Sequence, residues 1–129
     1  MSDKLKYEME FEVKSSTSVL FNMISTPSGL SEWFADDVNI KDDVFSFFWD
    51  GASEEAKLLT KKKGESIKFQ WTDDEDEGLK TFFEIAIKVD DLTNDVALMI
   101  TDFAEEDEME ESKRLWENQI ADLKMVIGS

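Results

Sequence analysis

Asp102 sits in the run Ile100-Thr101-Asp102-Phe103, a carboxyl in apolar surroundings. A carboxyl so placed holds its proton more tightly than usual and could do acid–base work. Its other reading is plainer: it caps the terminal helix or ends a strand. A second constellation is Asp73, Glu75, Glu77, Gly78 and Glu84, which fall at loop positions one, three, five, six and twelve of a calcium-binding loop pattern. Two of its ligands are Glu where the pattern has Asp or Asn, and residues 81–89 alternate like a strand where a helix is required. The segment is therefore expected to be a solvated hairpin tip. Aromatics form the third group, with ten Phe and four Trp. Most should fill the core, but Trp49, Trp71 and Trp116 are candidates for a cavity wall, because a buried indole N–H needs a partner. Gln119, beside the apolar stripe of the last helix, could place an amide in a pocket or simply face water.

What is missing narrows the chemistry further. The chain has no His and no Cys. That removes the commonest general base, thiol nucleophiles, disulfides and Cys-type zinc sites. No glycine-rich phosphate loop and no nucleophile elbow occurs. No metal site and no cofactor is expected. The 31 Asp and Glu against 14 Lys and Arg leave a net charge of −17. Such a chain should be repelled by phosphate backbones and anionic membranes, so nucleic-acid binding through a basic face is not expected.

The elements that must position these residues follow from periodicity. Tyr7, Met9, Phe11 and Val13 alternate with Glu8, Glu10 and Glu12, which reads as a half-buried strand over 5–13. Ser15-Ser16-Thr17 offers cap hydroxyls to a helix carrying Val19, Leu20, Met23 and Ile24. Thr26-Pro27 restarts a short helix with Leu30, Trp33 and Phe34 on its apolar stripe. Period two then returns: strands at 36–40, 43–49, a weaker 53–60, one around Ile67, Phe69 and Trp71, then 80–89 and 95–103. Asp42-Asp43, Asp50-Gly51, Lys61–Gly64, the polar loop Asp73–Gly78 and Asp90–Asn94 are the turns. Residues 107–127 place Met109, Trp116, Ile120, Leu123 and Ile127 on one helical stripe, closed by Gly128. The fold class is α+β: a meander sheet whose apolar face is covered by a long C-terminal helix. One domain spanning 1–129 is expected. The polar start Met1–Lys6 reads as neither signal peptide nor anchor, and no apolar run approaches the roughly 20 residues of a membrane helix. The expected setting is the cytoplasm, without membrane insertion.

The excess charge is local. Asp73–Glu77 and Glu105–Glu111 hold eleven of the acids and no base. Meander geometry puts both runs and the Asp50-Gly51 hairpin at one pole, with Lys61–Lys63 at the other.

Three stretches of this order resemble the START-like, or helix-grip, superfamily. They are Ser18-Val19-Leu20-Phe21 through Ile24-Ser25-Thr26-Pro27 to Leu30-Ser31-Glu32-Trp33-Phe34, the hairpin Phe47-Phe48-Trp49-Asp50-Gly51, and the terminal helix with Trp116 and Leu123. The chain is most similar to the bacterial relatives of the heat-shock-protein ATPase activators. The resemblance implies a seven-stranded sheet around the last helix and a cavity between them. That cavity would be lined by Phe47, Trp49, Trp71, Phe83, Ile85, Trp116, Gln119 and Leu123. It also implies that the acidic pole is the cavity mouth, with Asp73, Asp74, Glu75, Asp76, Glu77, Glu105, Glu106, Asp107 and Glu108 as its rim. Such a rim favours neutral or cationic guests. The expected function is non-enzymatic binding of a small hydrophobic or amphipathic ligand. The alternatives are a chaperone-associated interaction domain with a basic protein partner, and a small carboxylate-dependent enzyme.

Overall fold

The computed structural model describes residues 4–129. Alternating side chains become strands: β1 (Leu5–Val13), β2 (Asp37–Lys41), β3 (Val44–Trp49), β4 (Ala52–Lys62), β5 (Ser66–Trp71), β6 (Phe83–Val89) and β7 (Val96–Ala104). They form one antiparallel sheet in the order β1-β7-β6-β5-β4-β3-β2. The first strand pairs with the last, Leu5 opposite Ala104 and Val13 opposite Val96. Both edges are thus reached by chain that leaves β1. Helices α1 (Thr17–Ser25) and α2 (Pro27–Leu30) carry it from one edge strand to the other. Of Met1–Lys6, the first three residues lie outside the described part.

The local signals act as their chemistry requires. Ser16 caps α1 by accepting from the Val19 amide at 3.2 Å. Thr26 does the same for α2 from the Gly29 amide at 2.9 Å, with Pro27 in the first turn. Asp42 and Asp43 both take positive φ, 51° and 65°, in the tight hairpin joining β2 to β3. The terminal helix α4 (Met109–Ile127) ends on Gly128 in the left-handed conformation. It buries Trp116, Ile120 and Leu123 against the sheet.

Three boundaries depart from the sequence reading. The weak strand expected at 53–60 is the longest in the sheet. Its pairing with β5 shifts between Leu58 and Thr60, and that bulge breaks the period-two pattern that would have advertised it. The polar loop expected from Asp73 contains a short helix, α3 (Thr72–Asp76). Acids in a first helical turn suit the helix dipole, and a packing contact described below holds the turn in place. α4 begins at Met109, after a 3-10 turn over Glu106–Glu108. Glu84 lies inside β6, opposite Thr101, so the calcium-loop arrangement does not form.

The inward faces of the strands make one core. Phe45, Phe47, Ile67, Phe69, Phe83, Ile85, Leu98 and Ile100 are all at most 1% exposed. Leu20 and Ile24 from α1 and Leu30, Trp33 and Phe34 from the segment after it complete the cluster. Toward the end of the sheet where β3, β5 and β7 finish, the inward positions change character. Past Leu98 and Ile100 comes Asp102, past Phe47 comes Trp49, and past Phe69 comes Trp71. On β4 the inward position beyond Ala56 is Glu54, opposite Phe47.

Candidate functional site

These terminal inward residues, with α3 and α4, enclose an open cleft of about 550 Å³. Its apolar wall is Phe34, Trp49, Trp71, Leu115 and Trp116. Its polar groups are Lys4, Glu54, Asp73, Asp74, Asp102, Ser112 and Gln119. Phe34 forms the hub beneath it, with ring centroids 5.0 Å from Phe47, 5.9 Å from Trp49 and 5.8 Å from both Phe83 and Trp116. This aromatic packing occupies the space deeper between sheet and helix, so the open volume lies at the pole.

Each indole is held differently. Trp116 Nε1 donates to Asp102 Oδ2 at 2.7 Å. Trp49 Nε1 donates to the Phe34 carbonyl at 3.0 Å. That carbonyl also accepts from Gln119 Nε2 at 3.2 Å, which ties α4 to the segment after α2. Trp71, half-buried, packs its ring in tilted contacts 5.0 Å from Phe83 and 6.4 Å from Trp49.

Asp102 is a perturbed acid of the cleft wall. Burial pushes its carboxyl above the usual Asp range, against hydrogen bonds from Trp116 and the Phe103 amide that favour the charge. It is neither a helix cap nor a strand terminus: α4 is preceded by Glu108, and β7 runs two residues past Asp102. Tyr7 stands opposite it in register and hydrogen-bonds Ser112 of α4. Burial raises the Tyr7 hydroxyl to about 12, with the Asp102 charge adding to the effect. Glu54 is also raised, first by partial burial and then by Asp73 and Asp74 of α3, which packs beside β4.

Asp74, one of the acids expected on the rim, does not project into solvent. Asp74 is buried, 8% exposed. It accepts from Lys4 Nζ at 3.0 Å and from the Thr81 hydroxyl, which fasten α3 to the residue preceding β1 and to the segment preceding β6. Asp73 lines the cleft, while Glu75, Asp76 and Glu77 are exposed beyond it. Glu105 and Glu108 line a neighbouring cleft of about 290 Å³ that shares Lys4, Ser112 and Leu115 with the first, so both acidic runs flank one pole. The carboxylates of Glu105, Asp107 and Glu108 gather within 4.8 Å, and hydrogen bonding and repulsion from Glu105 raise Glu108. Glu106 is exposed beside them.

Trp49, Trp71, Trp116 and Gln119 thus meet at the cleft. Phe47, Phe83, Ile85 and Leu123 do not: they face inward but lie deeper, packed at no more than 1% exposure. Periodicity reports the face of a strand or helix, not the depth along it. Lys4, Phe34, Glu54, Ser112 and Leu115 were not picked out as site residues. Glu54 was signalled by its even spacing from Ala56, but the bulge in β4 hid that strand's phase. Ser112 sits one helical turn before Trp116. Nothing local marks Lys4. A second open cleft of about 590 Å³ lies on the other side of the Trp49–Phe34–Gln119 link, bordered by Glu32, Asp36, Asp122, Met125 and Val126.

A family model described as a START-like superfamily domain matches residues 1–129. The chain belongs to the START-like superfamily. The helix-grip arrangement of this START-like domain recurs in solved structures. A Bacteroides fragilis protein, BfR322, is 35% identical, with 98% of this chain and 92% of that one covered at a TM-score of 0.67. The Aha1 dimer from Colwellia psychrerythraea shares 16% identity over 95% of this chain and 96% of its own, at a TM-score of 0.81. Its fold accords with the resemblance to bacterial relatives of the ATPase activators. MLL2253 from Mesorhizobium loti is 12% identical over 96% and 97%, at 0.77. None of the curated proteins matches the chain. Among the described residues no helix is long and apolar enough to cross a membrane.

Proposed function

We propose that this START-like domain is a non-enzymatic, cytoplasmic binder of a small amphipathic molecule, neutral or cationic, taken up at the acidic pole. The observation that carries the reading is the cleft itself: about 550 Å³ walled by three indoles, with polar groups at its edge. That size and mixture suit a small organic guest whose apolar part lies on aromatic surface and whose polar end is oriented by a few fixed groups. Gln119 and Ser112 supply such groups, while the carboxylates oppose an anionic guest.

The test is direct, because three of the four tryptophans report on the cleft. Native mass spectrometry of freshly purified protein should show a co-purifying small molecule. Titration with short-chain amphiphiles should change tryptophan emission saturably, and Trp71→Ala should weaken binding by about tenfold while the fold is kept. Emission that stays flat for every amphiphile class would remove the reading.

A second reading, a basic protein partner, draws on different residues. Leu115, Met125 and Val126 of α4 are exposed at 58%, 80% and 44%, and they border the second cleft beside Glu32, Asp36 and Asp122. An apolar strip edged by acids suits a basic amphipathic segment. Met125→Glu would abolish such an interaction and leave small-molecule binding intact.

A further inference from the structure

The charges of the cleft select the polar end of its guest; this step rests on the reading of the cleft as a ligand site. Four carboxyl groups line it, from Glu54, Asp73, Asp74 and Asp102, and one ammonium, from Lys4. They are not equivalent. Asp74 is already engaged by Lys4 and Thr81. Asp73 is exposed to water, and Glu54, though exposed as a residue, is partly desolvated and stands beside the charges of Asp73 and Asp74. Asp102 is half-buried on the inward face of β7 between Ile100 and Ala104, at the cleft wall. One oxygen accepts from Phe103 and the other from Trp116, and the Tyr7 hydroxyl also favours the charge, which leaves at least one of about four acceptor positions of the carboxylate for a guest. The indole bonded to it belongs to the wall formed with Trp49 and Trp71.

The geometry points to an ammonium group, of an alkylamine or a quaternary amphiphile, seated on the indole wall with Asp102 as its counter-ion. Its alkyl chain would lie along Phe34 and Leu115. An anion there would meet four carboxyl groups. A neutral hydroxyl could donate to Asp102 but would bring no counter-charge to the poorly solvated carboxylate. A cation gains from the carboxylate and from indole faces together, and indole is the best aromatic partner for a cation. The groups facing Asp102 are Tyr7 from β1, Lys4 just before it, and Ser112 and Trp116 from α4. Glu54 and the α3 acids Asp73 and Asp74 stand across the cleft. Lys4 is the single positive group among these, and it is bonded to Asp74.

Four probes of equal chain length decide the matter: octyltrimethylammonium, octylammonium, 1-octanol and octanoate, all kept monomeric and followed by tryptophan emission at physiological salt. Both ammonium probes should bind about tenfold or more tightly than 1-octanol, with octanoate weakest. Asp102→Asn should erase that preference and leave 1-octanol within about twofold of its original affinity. Asp91→Asn, at the opposite pole, should keep the preference, which separates a local counter-ion from general attraction to an acidic chain. On acidification through the carboxyl range the unmodified protein should lose affinity for octyltrimethylammonium as Asp102 takes up its proton, while its affinity for 1-octanol stays level. This readout stands even where Asp102→Asn does not fold. Equal affinity for ammonium and alcohol, a preference that survives Asp102→Asn, or a preference that does not weaken on acidification overturns the assignment and leaves the ligand-site reading in place. Failure of all four probes removes the ligand site and the assignment together.

Discussion

Asp102 occupies a position that the alternation of β7 reserves for an apolar side chain, since Leu98, Ile100 and Ala104 on the same face are all buried. Its folded-state pKa is raised mainly by burial, so its contribution to stability is complete in acid, below the ordinary Asp range. It is lost as pH climbs through the raised value. Relative to Asp102→Asn, the natural protein should therefore be most favoured in acid and lose ground toward neutrality, read as the difference in urea midpoint across that range. Tyr7 extends the same logic upward. Its hydroxyl moves from the usual 10.0 to about 12, so stability should fall between those pH values and the fall should vanish in Tyr7→Phe. Lys4 works through Asp74: Lys4→Met strips a buried carboxylate of its cation and should cost about 1–3 kcal/mol, measured by urea unfolding. Asp102 could be singled out from its apolar neighbours. Lys4 could not, because the partner that gives it meaning is distant in the chain and the contact exists only once α3 folds onto β1.

Elements settle how side chains are delivered to the pole. Strands β3, β5 and β7 each bring an inward residue to the cleft at or near their ends, Trp49, Trp71 and Asp102, and α4 supplies Ser112, Trp116 and Gln119 over them. The helices after β1 fix Phe34, the hub of the cleft floor. That placement depends on the close approach of α2 to α1 at Gly29. A Cβ on Gly29 would sit 2.3 Å from the Asn22 carbonyl oxygen and 2.7 Å from the Met23 Cα, both backbone atoms. Gly29→Ala should therefore cost about 1–3 kcal/mol and loosen Phe34, seen as a lower urea midpoint together with altered tryptophan emission. Most element types were legible from period and cap residues, because Ser16, Thr26, Pro27 and Gly128 act through bonds only a few residues long. The strength of β4 was not, since its bulge near Leu59 interrupts the alternation by one residue. Nor was α3: five residues rich in acid carry no apolar period, and tertiary bonds from Asp74 and from Thr72 to the Glu55 carbonyl anchor them.

At the scale of the whole molecule, the charge of −17 opposes compaction, and its largest concentrations flank one pole. Added salt should screen that repulsion, so the urea midpoint should rise from low to moderate sodium chloride rather than fall as it would in a protein held by ion pairs. The family model and the sheet order together establish the START-like helix grip. Most of that architecture was determined by the sequence alone. Hydrophobic period, turn chemistry and capping are local or repeat every few residues, and they specify which elements form and which face of each is dry. The absence of His and Cys and the sign of the net charge are likewise properties of the chain itself. Only the tertiary structure decided which inward residues are core and which are cleft. Phe47 and Trp49 share a face two residues apart, yet one is wholly packed and the other borders the opening. The difference arises where the sheet ends, how far α4 reaches over it, and whether Phe34 fills the space between, and these depend on contacts between segments far apart in sequence.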